Sequence, residues 1–409
     1  MKRIWFGLVG LVLAGCASTP TPPPPVTSAW GTIITVGQAE QTGAPNLLAE
    51  NKQVSLAWIG ADETGVHQDS RTITTTGLSA RVVLPLPPTR PYAQQIAPAS
   101  GGRFHLLWLD ADAEAQSQLY TATITSALET ERGPVQLSSQ PTRRYTLLPA
   151  DNGTLEIITS GGQPAEPALF YHFVDASGRP RQETNNALVT DADWPTLAHT
   201  SDNTAYLFWR QPNDGQVLRG QLVNGRVDTP EPVTQIRLKA GDRLDSLNAA
   251  LDNTTQYLFW NLTRANGDHE SWYTCRSLNE NSWSPADRLG VQPQPDQSFE
   301  TGFNSGAAKV ARNGEHWLSW AAPLTGQFEM LPVAARVGNT LALIYFQGGQ
   351  LIGYQAIVTP VEILGQPVLQ ADRDKFLYLA WAQPNANGSA DLYLTTLKAA
   401  LWAWAPPTP

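Results

Sequence analysis

Residues 204–209 read TAYLFW, and residues 255–260 read TQYLFW, so nearly the same phrase occurs twice in the chain. In each copy a leucine stands two positions before a tryptophan, as Leu207 stands before Trp209. Because successive side chains of a β-strand point to opposite faces, these two residues share one face. The phrase therefore predicts a strand with one strongly apolar face.

The same pattern recurs along the chain, mostly at intervals of about 50 residues, which is the spacing of a repeat protein. Its aligned last positions are Trp58, Trp108, Thr159, Trp209, Trp260, Trp320, Tyr345 and Trp381. The positions two residues earlier are Leu56, Leu106, Ile157, Leu207, Leu258, Leu318, Leu343 and Leu379. Glycine, asparagine or aspartate stands seven residues before each end, and these residue types tolerate the positive φ angles of tight turns. Each copy therefore predicts a β-hairpin.

A polar loop and commonly a third strand follow each hairpin, which indicates four short strands in each unit. A unit of this kind, repeated about every 50 residues, is typical of a β-propeller, whose blades pack face to face around a central channel. The leucine and the aromatic residue of each copy would then fill the seams between blades. We therefore predict an all-β fold, a single β-propeller of four-stranded antiparallel blades.

The number of blades follows less directly from the repeat. Trp320 and Tyr345 are separated by only about 25 residues, which is too few for a complete blade. Either one unit is truncated or both hairpins belong to one enlarged blade, so seven blades are favoured and eight are possible. The segment WGTIITVG at 30–37 is predicted to pair with ADLYLTTLKA at 390–399, because this pairing would close the ring and remove two sheet edges.

The composition favours short strands and turns over long charged helices. Charged residues make up only 15% of the chain, while glycine and proline number 32 each and tryptophan 14. The formal net charge is −9, and no basic face is evident in the sequence. Binding to nucleic acid is therefore not expected.

The first sixteen residues, MKRIWFGLVGLVLAGC, have the features of an export signal. The apolar run Ile4–Leu13 is shorter than the roughly 20 residues that a membrane-spanning helix needs. The tail Leu13-Ala14-Gly15-Cys16 resembles the lipobox of bacterial lipoproteins. This resemblance implies that Cys16 is lipidated and that the chain is cleaved before it. The alternative is an ordinary secretory signal in which the cysteine has no such role.

The segment after the cysteine, ASTPTPPPPVTS at 17–28, is rich in proline and favours an extended tether. We therefore predict a signal peptide at 1–15, a lipidated cysteine with a Pro/Thr-rich tether at 16–28, and the propeller at 29–405. The expected location is extracytoplasmic, with a lipid anchor in the bacterial cell membrane or outer membrane. Cys275 then has no intrachain disulfide partner and is expected to fill the core of a strand; a reactive thiol is the alternative.

The predicted architecture resembles that of sialidase-like propellers, whose repeats often carry the Asp box Ser-x-Asp-x-Gly-x-Thr-Trp. The stretches VDASGRP at 174–180 and LNENSWSP at 278–285 lie at the turn expected for this motif but lack its full pattern. The resemblance thus covers most of the chain as architecture and little of it as motif. The Phe/Tyr-Arg-Ile-Pro phrase common in sialidases is absent, which weighs against hydrolysis of sialic acid.

Loops that enter the first strands of successive blades carry arginines, and sialidases grip a carboxylate with three arginines. The candidate residues for binding an anion or another ligand are Arg90, Arg144, Arg243, Tyr92, Tyr145, Asp193 and Trp194. A guanidinium suits a carboxylate because two parallel hydrogen bonds form at once. The alternative is that the two PTRxY turns arose by duplication and that their arginines are solvated or paired with local acids.

No metal or cofactor is expected. Asp110, Asp112 and Glu114 alternate in a stretch that resembles a calcium loop, but the glycine needed for its sharp turn is missing. The six histidines form no HExxH pair, and no GxGxxG, P-loop or GxSxG motif occurs.

Three functions are compatible with these features. The first is a non-catalytic, membrane-anchored propeller lipoprotein that binds a glycan, a peptide or a protein. The second is a sialidase-like or other glycoside hydrolase, for which clustered acids beside Arg90, Arg144 and Arg243 would be needed. The third is an envelope-assembly scaffold, similar in address and shape to the propeller lipoprotein of the outer-membrane barrel-assembly machine. The residues leave open whether the chain is an enzyme.

Overall fold

A computed structural model describes most of the chain between residues 31 and 397. The residues outside the description are 1–30, 32, 40–44, 51–52, 63–64, 75–76, 85–89, 113–115, 151, 164, 182–185, 201–203, 292–315, 324–326, 359–360, 373–375 and 398–409. The predicted signal peptide, Cys16 and the whole tether therefore lie outside the described residues. Every regular element in the described part is a β-strand. None of the described residues forms a helix that is long and apolar enough to cross a membrane.

The strands form seven sheets, which follow one another along the chain as blades 1 to 7. The first strand in the chain is β1 (Ile34–Ala39). Blade 1 consists of β2 (Asn46–Glu50), β3 (Gln53–Asp62), β4 (Gly65–Thr74), β5 (Gly77–Leu78) and β6 (Val82–Leu84). Blade 2 consists of β7 (Pro91–Pro98), β8 (Arg103–Ala111), β9 (Ser117–Thr125) and β10 (Thr130–Gln136). Blade 3 consists of β11 (Thr142–Pro149), β12 (Leu155–Gln163), β13 (Glu166–Val174) and β14 (Val189–Thr190).

The remaining blades follow the same plan. Blade 4 consists of β15 (Asp193–His199), β16 (Ala205–Arg210), β17 (Gln216–Val223), β18 (Arg226–Val227) and β19 (Glu231–Gln235). Blade 5 consists of β20 (Arg243–Asp252), β21 (Thr255–Thr263), β22 (His269–Ser277), β23 (Asp287–Arg288) and, from later in the chain, β26 (Gln327–Phe328). Blade 6 consists of β24 (Gly290–Val291), β25 (His316–Pro323), β27 (Leu331–Val337), β28 (Thr340–Gln347) and β29 (Gln350–Val358). Blade 7 consists of β30 (Leu364–Ala371), β31 (Leu377–Pro384) and β32 (Ala390–Leu397), and β1 completes it.

This arrangement confirms the prediction of an all-β propeller with seven blades, each built on four antiparallel strands. The fourth strand of blades 1 and 4 is split into two short strands, and the short strands β26 and β24 are added at the edges of blades 5 and 6. It also confirms closure by the N-terminal strand, because β1 pairs antiparallel with β32, from Ile34 opposite Leu394 to Ala39 opposite Ala390. Trp58 of blade 1 strengthens this closure, since its indole nitrogen donates a hydrogen bond to the carbonyl oxygen of Gln38 at 2.9 Å. Both ends of the propeller are therefore held in one sheet.

Blade 6 accounts for the short spacing in the repeat. The strand that carries Trp320, β25, and the strand that carries Tyr345, β28, flank β27 in the same sheet. Of the two explanations for the short spacing, a truncated unit or one enlarged blade, the enlarged blade is therefore correct. The adjacent short strand β26 pairs in parallel with β20, on the edge of blade 5 opposite β21. The side chains of residues 316–328 lie outside the description, so the seam role of Leu318 and Trp320 stays a prediction.

The predicted seams between blades are confirmed. In blade 2, Leu106 and Trp108 are buried in one cluster with Leu48 and Leu84 of blade 1. In other blades the aligned apolar residues also pack against the preceding blade around the ring; these are Leu56, Trp58, Ile157, Leu207, Trp209, Leu258, Trp260, Leu379 and Trp381. Burial of such large apolar side chains contributes about 1.5–3 kcal/mol each. These seams hold successive blades together.

In blade 6 the aligned residues Leu343 and Tyr345 also fill a seam, but it is the seam with the following blade, blade 7. The residues of β28 that face the preceding blade are Ile344 and Phe346, which pack with Phe259 of blade 5. The sequence could not distinguish these pairs, because both faces of β28 are apolar and both are buried between neighbouring blades.

A channel of 530 Å³ runs between the first strands of blades 1, 2, 3, 4, 5 and 7. Several of these strands carry a β-bulge or register irregularity near their beginning, at Tyr92/Gln95, Thr142/Arg144, Asp193/Thr196, Leu244/Ser246 and Leu364/Val368. Bulges redirect side chains locally and often lie next to functional sites. The predicted ligand residues stand at or next to the beginnings of four of these strands, β7, β11, β15 and β20.

Candidate functional site

The candidate site lies where the first strands of blades 3 and 4 begin. Arg144 and Trp194 directly precede Tyr145 and Pro195, which line the channel. Trp194 has a φ angle of 55°, a left-handed conformation that is uncommon for a bulky residue and is often found at functional sites. This conformation falls within the irregular stretch between Asp193 and Thr196. The backbone therefore fixes the indole of Trp194 next to a channel-lining residue, where it also packs against the apolar cluster between blades 4 and 5.

Arg144 connects blade 3 to blade 4. Its Nη1 donates to the carboxylate of Asp193, at 3.2 Å from Oδ2 and 3.4 Å from Oδ1. Its guanidinium carbon lies 3.6 Å from the ring centroid of Trp194, which is a cation–π contact. Asp193 also accepts hydrogen bonds from the Ser160 hydroxyl and from the backbone N–H of Trp194. The guanidinium is thus held in one orientation by a carboxylate on its edge and an indole on its face.

Two further arginines make this region positively charged. Arg143 donates hydrogen bonds to the carbonyl oxygens of Gly161 and Gly162. Arg210 is paired with Asp193 in the strand register. We call Arg143, Arg144, Arg210, Asp193 and Trp194 the mouth cluster.

The arginines of the mouth cluster outnumber the carboxylates that act on them. Burial lowers the pKa of Arg144, and Arg143 lowers it further, while Asp193 and Tyr92 oppose this change. Burial also lowers the pKa of Arg210, against the charges of Asp193 and Asp214. Because guanidinium groups keep their protons in proteins, positive charge accumulates there. This excess favours an anionic ligand.

Tyr145 has a structural role in the neighbouring blade. Its side chain is buried, and its hydroxyl donates to the carbonyl oxygen of Ala93 at 2.5 Å and lies 3.2 Å from that of Leu107. Burial raises the pKa of Tyr145 well above its usual value, so the hydroxyl stays protonated. Since Ala93 has a φ angle of 48°, this bond supports the irregular start of β7. Tyr92, beside it, donates to the hydroxyl of Ser117 at 2.5 Å.

Arg90 and Arg243 do not join the mouth cluster through any contact among the described residues. The side chain of Arg90 is exposed, and its backbone N–H donates to Asp110 at 2.7 Å. Arg243 is 71% exposed and donates to Asp245 of its own strand at 2.7 Å. Of the three arginines, only Arg144 is therefore seen to contact Asp193 and Trp194.

Ser160, Arg143 and Arg210 were not among the residues predicted from the sequence. A signal for two of them was present, since Ser160 and Arg210 directly follow the aligned ends Thr159 and Trp209. The position directly after the aligned end is apolar in several other copies. It lies near the end of the second strand of a blade, where that strand pairs with the start of the first strand. A polar residue there is therefore a candidate for the mouth of the channel.

In the acidic stretch that resembles a calcium loop, Asp110 and Asp112 accept hydrogen bonds from backbone N–H groups. Asp110 accepts from the backbone of Arg90, and Asp112 accepts from the backbone N–H of Gln116 at 2.8 Å. Glu114 lies outside the described residues. In the described part of the chain, no group of three or more histidine, cysteine, aspartate or glutamate residues could hold a metal ion.

The stretch VDASGRP forms a compact turn at the end of β13. Oδ1 of Asp175 accepts hydrogen bonds from the backbone N–H groups of Ser177 and Arg179, at 2.8 and 2.9 Å, and from the Ser177 hydroxyl at 2.7 Å. This is the local bonding by which aspartate stabilises turns. The turn therefore explains this aspartate without an Asp-box motif.

Comparison with known proteins identifies relatives of the fold only. No family model matches the sequence, and no curated protein matches it. The solved polysaccharide lyase Uly1 is similar in structure, with a TM-score of 0.58 and 9% identity over 94% of each chain. An ulvan lyase bound to -[GlcA(1-4)Rha3S]- has a TM-score of 0.58 and 10% identity, over 92% of this chain and all of the other. At this identity the similarity shows a common fold.

Proposed function

We propose that this protein binds acidic glycans at the mouth of its channel without catalysing a reaction, and that a lipid on Cys16 holds it outside the cytoplasm. The observation that carries the glycan part is the position of Arg144 between Asp193 and Trp194. Of the nitrogen atoms of this guanidinium, only Nη1 makes a hydrogen bond to a residue that the structure describes. The Arg144 side chain is 37% exposed. Its other N–H groups are therefore free to bind a ligand carboxylate or sulfate.

The indole of Trp194 supports a sugar as the ligand. Ligand sites in proteins combine apolar or aromatic surface with a few polar groups that fix orientation. In the mouth cluster, Trp194 supplies the aromatic surface, and Arg144 and Arg210 supply positive charge. A propeller of similar fold is bound to -[GlcA(1-4)Rha3S]-, an acidic repeat, and this supports the choice of an acidic glycan over a neutral one.

The hydrogen bonding of Asp193 supports binding without catalysis. A general acid or base must exchange a proton with the substrate. Oδ1 of Asp193 already accepts from the Ser160 hydroxyl and from the Trp194 backbone, and both oxygens face Arg144. The carboxylate is therefore committed to holding Arg144 and Trp194 in position.

The lipid anchor rests on sequence alone. The charged start, the short apolar run and the Leu13-Ala14-Gly15-Cys16 tail support lipidation, and the proline-rich segment that follows supports a tether. An anchored propeller would present its loops to glycans outside the cytoplasmic membrane.

An oligosaccharide array and a turnover assay test the glycan part together. The full chain is probed with uronate-containing, sulfated and neutral oligosaccharides, and the acidic ones are incubated with it and analysed for shortened or unsaturated products. We expect acidic oligosaccharides to bind and to remain intact. Arg144→Ala should weaken binding at the mouth cluster about tenfold or more, as expected for losing a charged hydrogen bond.

The matched control is Arg243→Ala, which removes the same charge from a side chain that bonds only to described residues of its own blade. This variant should bind like the wild type. Equal binding of neutral and acidic oligosaccharides would contradict the proposed ligand class. Product formation that Arg144→Ala abolishes would contradict the non-catalytic role and indicate an enzyme instead.

A further inference from the structure

A second cavity lies between blades 3 and 4, away from the channel. Its volume is 820 Å³, within the range of small-molecule binding sites. The lining residues that matter here are Glu156, Tyr171, Phe173, Arg181, Asn224 and Arg226. None of them lines the channel or belongs to the mouth cluster. We call this space the rim cavity.

The aromatic wall of the rim cavity is part of β13. Tyr171 and Phe173 are two positions apart in this strand, so their rings are on the same face. The turn between β17 and β18 approaches the ring of Tyr171 closely, because a Cβ atom on Gly225 would lie only 2.9 Å from that ring. Gly225 also has a φ angle of 70°, which favours glycine. The turn of blade 4 thereby forms the opposite wall.

The rim cavity carries unpaired positive charge. The guanidinium carbon of Arg181 lies 4.2 Å from the ring centroid of Phe173. Neither Arg181 nor Arg226 makes a side-chain hydrogen bond or ion pair with any residue that the structure describes. The described lining contains one carboxylate, Glu156, and it already accepts a hydrogen bond from the Tyr171 hydroxyl at 3.0 Å. Two guanidinium groups therefore remain for a ligand.

These groups match the chemistry of an acidic sugar. A guanidinium binds a carboxylate or a sulfate through paired hydrogen bonds. The side-chain amides of Asn186 and Asn224 offer both donors and acceptors, as hydroxyl groups require. Tyr171 and Phe173 are half-buried, and the parts of their rings that Gly225 and Arg181 leave open offer apolar surface for a sugar ring.

We propose that the rim cavity is a second binding site, for a uronate or sulfated sugar residue. It adds to the glycan binding proposed above but uses entirely different residues. An acidic polysaccharide long enough to reach both the mouth cluster and the rim cavity would bind more tightly than a short fragment, because the second contact is intramolecular.

Calorimetric titration of the full chain with a tetrasaccharide of the -[GlcA(1-4)Rha3S]- type tests this site. The wild type should bind two molecules, and a neutral tetrasaccharide should not bind. Arg181→Ala combined with Arg226→Ala should leave one site and weaken binding at the cavity about tenfold or more. Single Arg226→Ala, in an exposed turn, gives a second variant whose folding should be unaffected.

The matched control combines Arg179→Ala with Arg237→Ala, which removes two positive charges from exposed side chains outside the cavity lining. It should still bind two molecules. If the cavity variants bind like this control, the rim site is overturned. If Arg144→Ala alone removes all binding, the rim site is also overturned while the mouth site stands. If the cavity variants alone remove all binding, the mouth site fails and the rim site stands.

Discussion

The guanidinium carbon of Arg144 lies 3.6 Å from the ring centroid of Trp194, although the two residues belong to the first strands of different blades. Trp194 reaches this position with a φ angle of 55°. For residues other than glycine, the left-handed region costs about 1–2 kcal/mol. The contact thus combines a strained backbone with a charged partner from the adjacent blade.

Two substitutions of Trp194 distinguish the effect of its strained backbone on stability from the effect of its indole ring on binding. Trp194→Gly should be more stable than Trp194→Ala by about 1 kcal/mol, because glycine adopts positive φ without a Cβ penalty. Both variants should lose affinity for acidic oligosaccharides equally, since neither has the indole. Denaturant unfolding and calorimetric titration measure the two effects. An alanine variant as stable as the glycine variant would contradict the strained conformation.

Removing one seam tryptophan should destabilise the ring strongly. Trp381 is 0% exposed and packs between blades 7 and 6, where its ring stacks on Tyr393 with centroids 5.6 Å apart. Trp381→Ala should cost about 3–5 kcal/mol in the free energy of unfolding. Denaturant titration measures this, and Leu278→Ala serves as control because Leu278 is 37% exposed and should cost under about 1 kcal/mol. Similar costs for both variants would rule out a buried seam.

Closure of the ring depends on the inward face of β1. Val36 is buried between blades 7 and 1, whereas Thr35, its neighbour on the opposite face, is exposed. Val36→Asp would bury an unpaired carboxylate, so it should lower the thermal midpoint sharply or prevent folding. Thr35→Asp introduces the same group on the open face and should behave like the wild type. Equal tolerance of both would show that β1 does not close the ring.

Glu270 should contribute stability that is lost in acid. Burial opposes its ionisation, but hydrogen bonds from Arg264 and Trp272 and the charges of Arg288 and Arg264 outweigh this and lower its pKa. A carboxyl group whose pKa is lower in the folded than in the unfolded state stabilises the fold. This stabilisation is fully present at pH values above the unfolded pKa of about 4.5, and it disappears as the pH falls through the folded pKa.

The fall in stability between pH 7 and pH 3 should therefore be smaller for Glu270→Gln than for the wild type. Glu280→Gln, which changes an exposed glutamate, should show the same fall as the wild type. Urea unfolding at the two pH values measures this difference. An unchanged fall in Glu270→Gln would mean that Glu270 is not stabilised by these arginines.

Membrane attachment should depend on one of the two cysteines. Cys16→Ser should move the protein from the membrane fraction to the soluble fraction, because the lipid can no longer be added. Cys275→Ser should leave the distribution unchanged, since Cys275 lies within β22 and its sulfur is 3.6 Å from the Ser284 hydroxyl. Fractionation of cells that express each variant measures this. A membrane-bound Cys16→Ser variant would disprove the lipid anchor.

Several residues of the candidate site could be predicted from the sequence, but which of them contact one another could not. The loops that enter the first strands offered Arg144, Asp193 and Trp194 as candidates, and the structure brings these three into contact. Arg90 and Arg243 were predicted from the same loop positions, but among the described residues they bond only within their own blades, for example to Asp110 and Asp245. Equivalent positions in successive blades are related by the repeat, but the repeat does not specify the direction of a side chain after a bulge.

The sequence by itself determined the hairpins, the apolar residues that most of the aligned strands bury in a seam, and the ring of blades. This was possible because alternation along a strand and spacing along a repeat are local properties, which Leu207 and Trp209 display within one phrase. Only the tertiary structure decided that Arg144 meets Asp193, and that Ile344 and Phe346 face blade 5. Contacts across a seam depend on the register of two sheets and on bulges within them, and neither is written in the spacing of one strand.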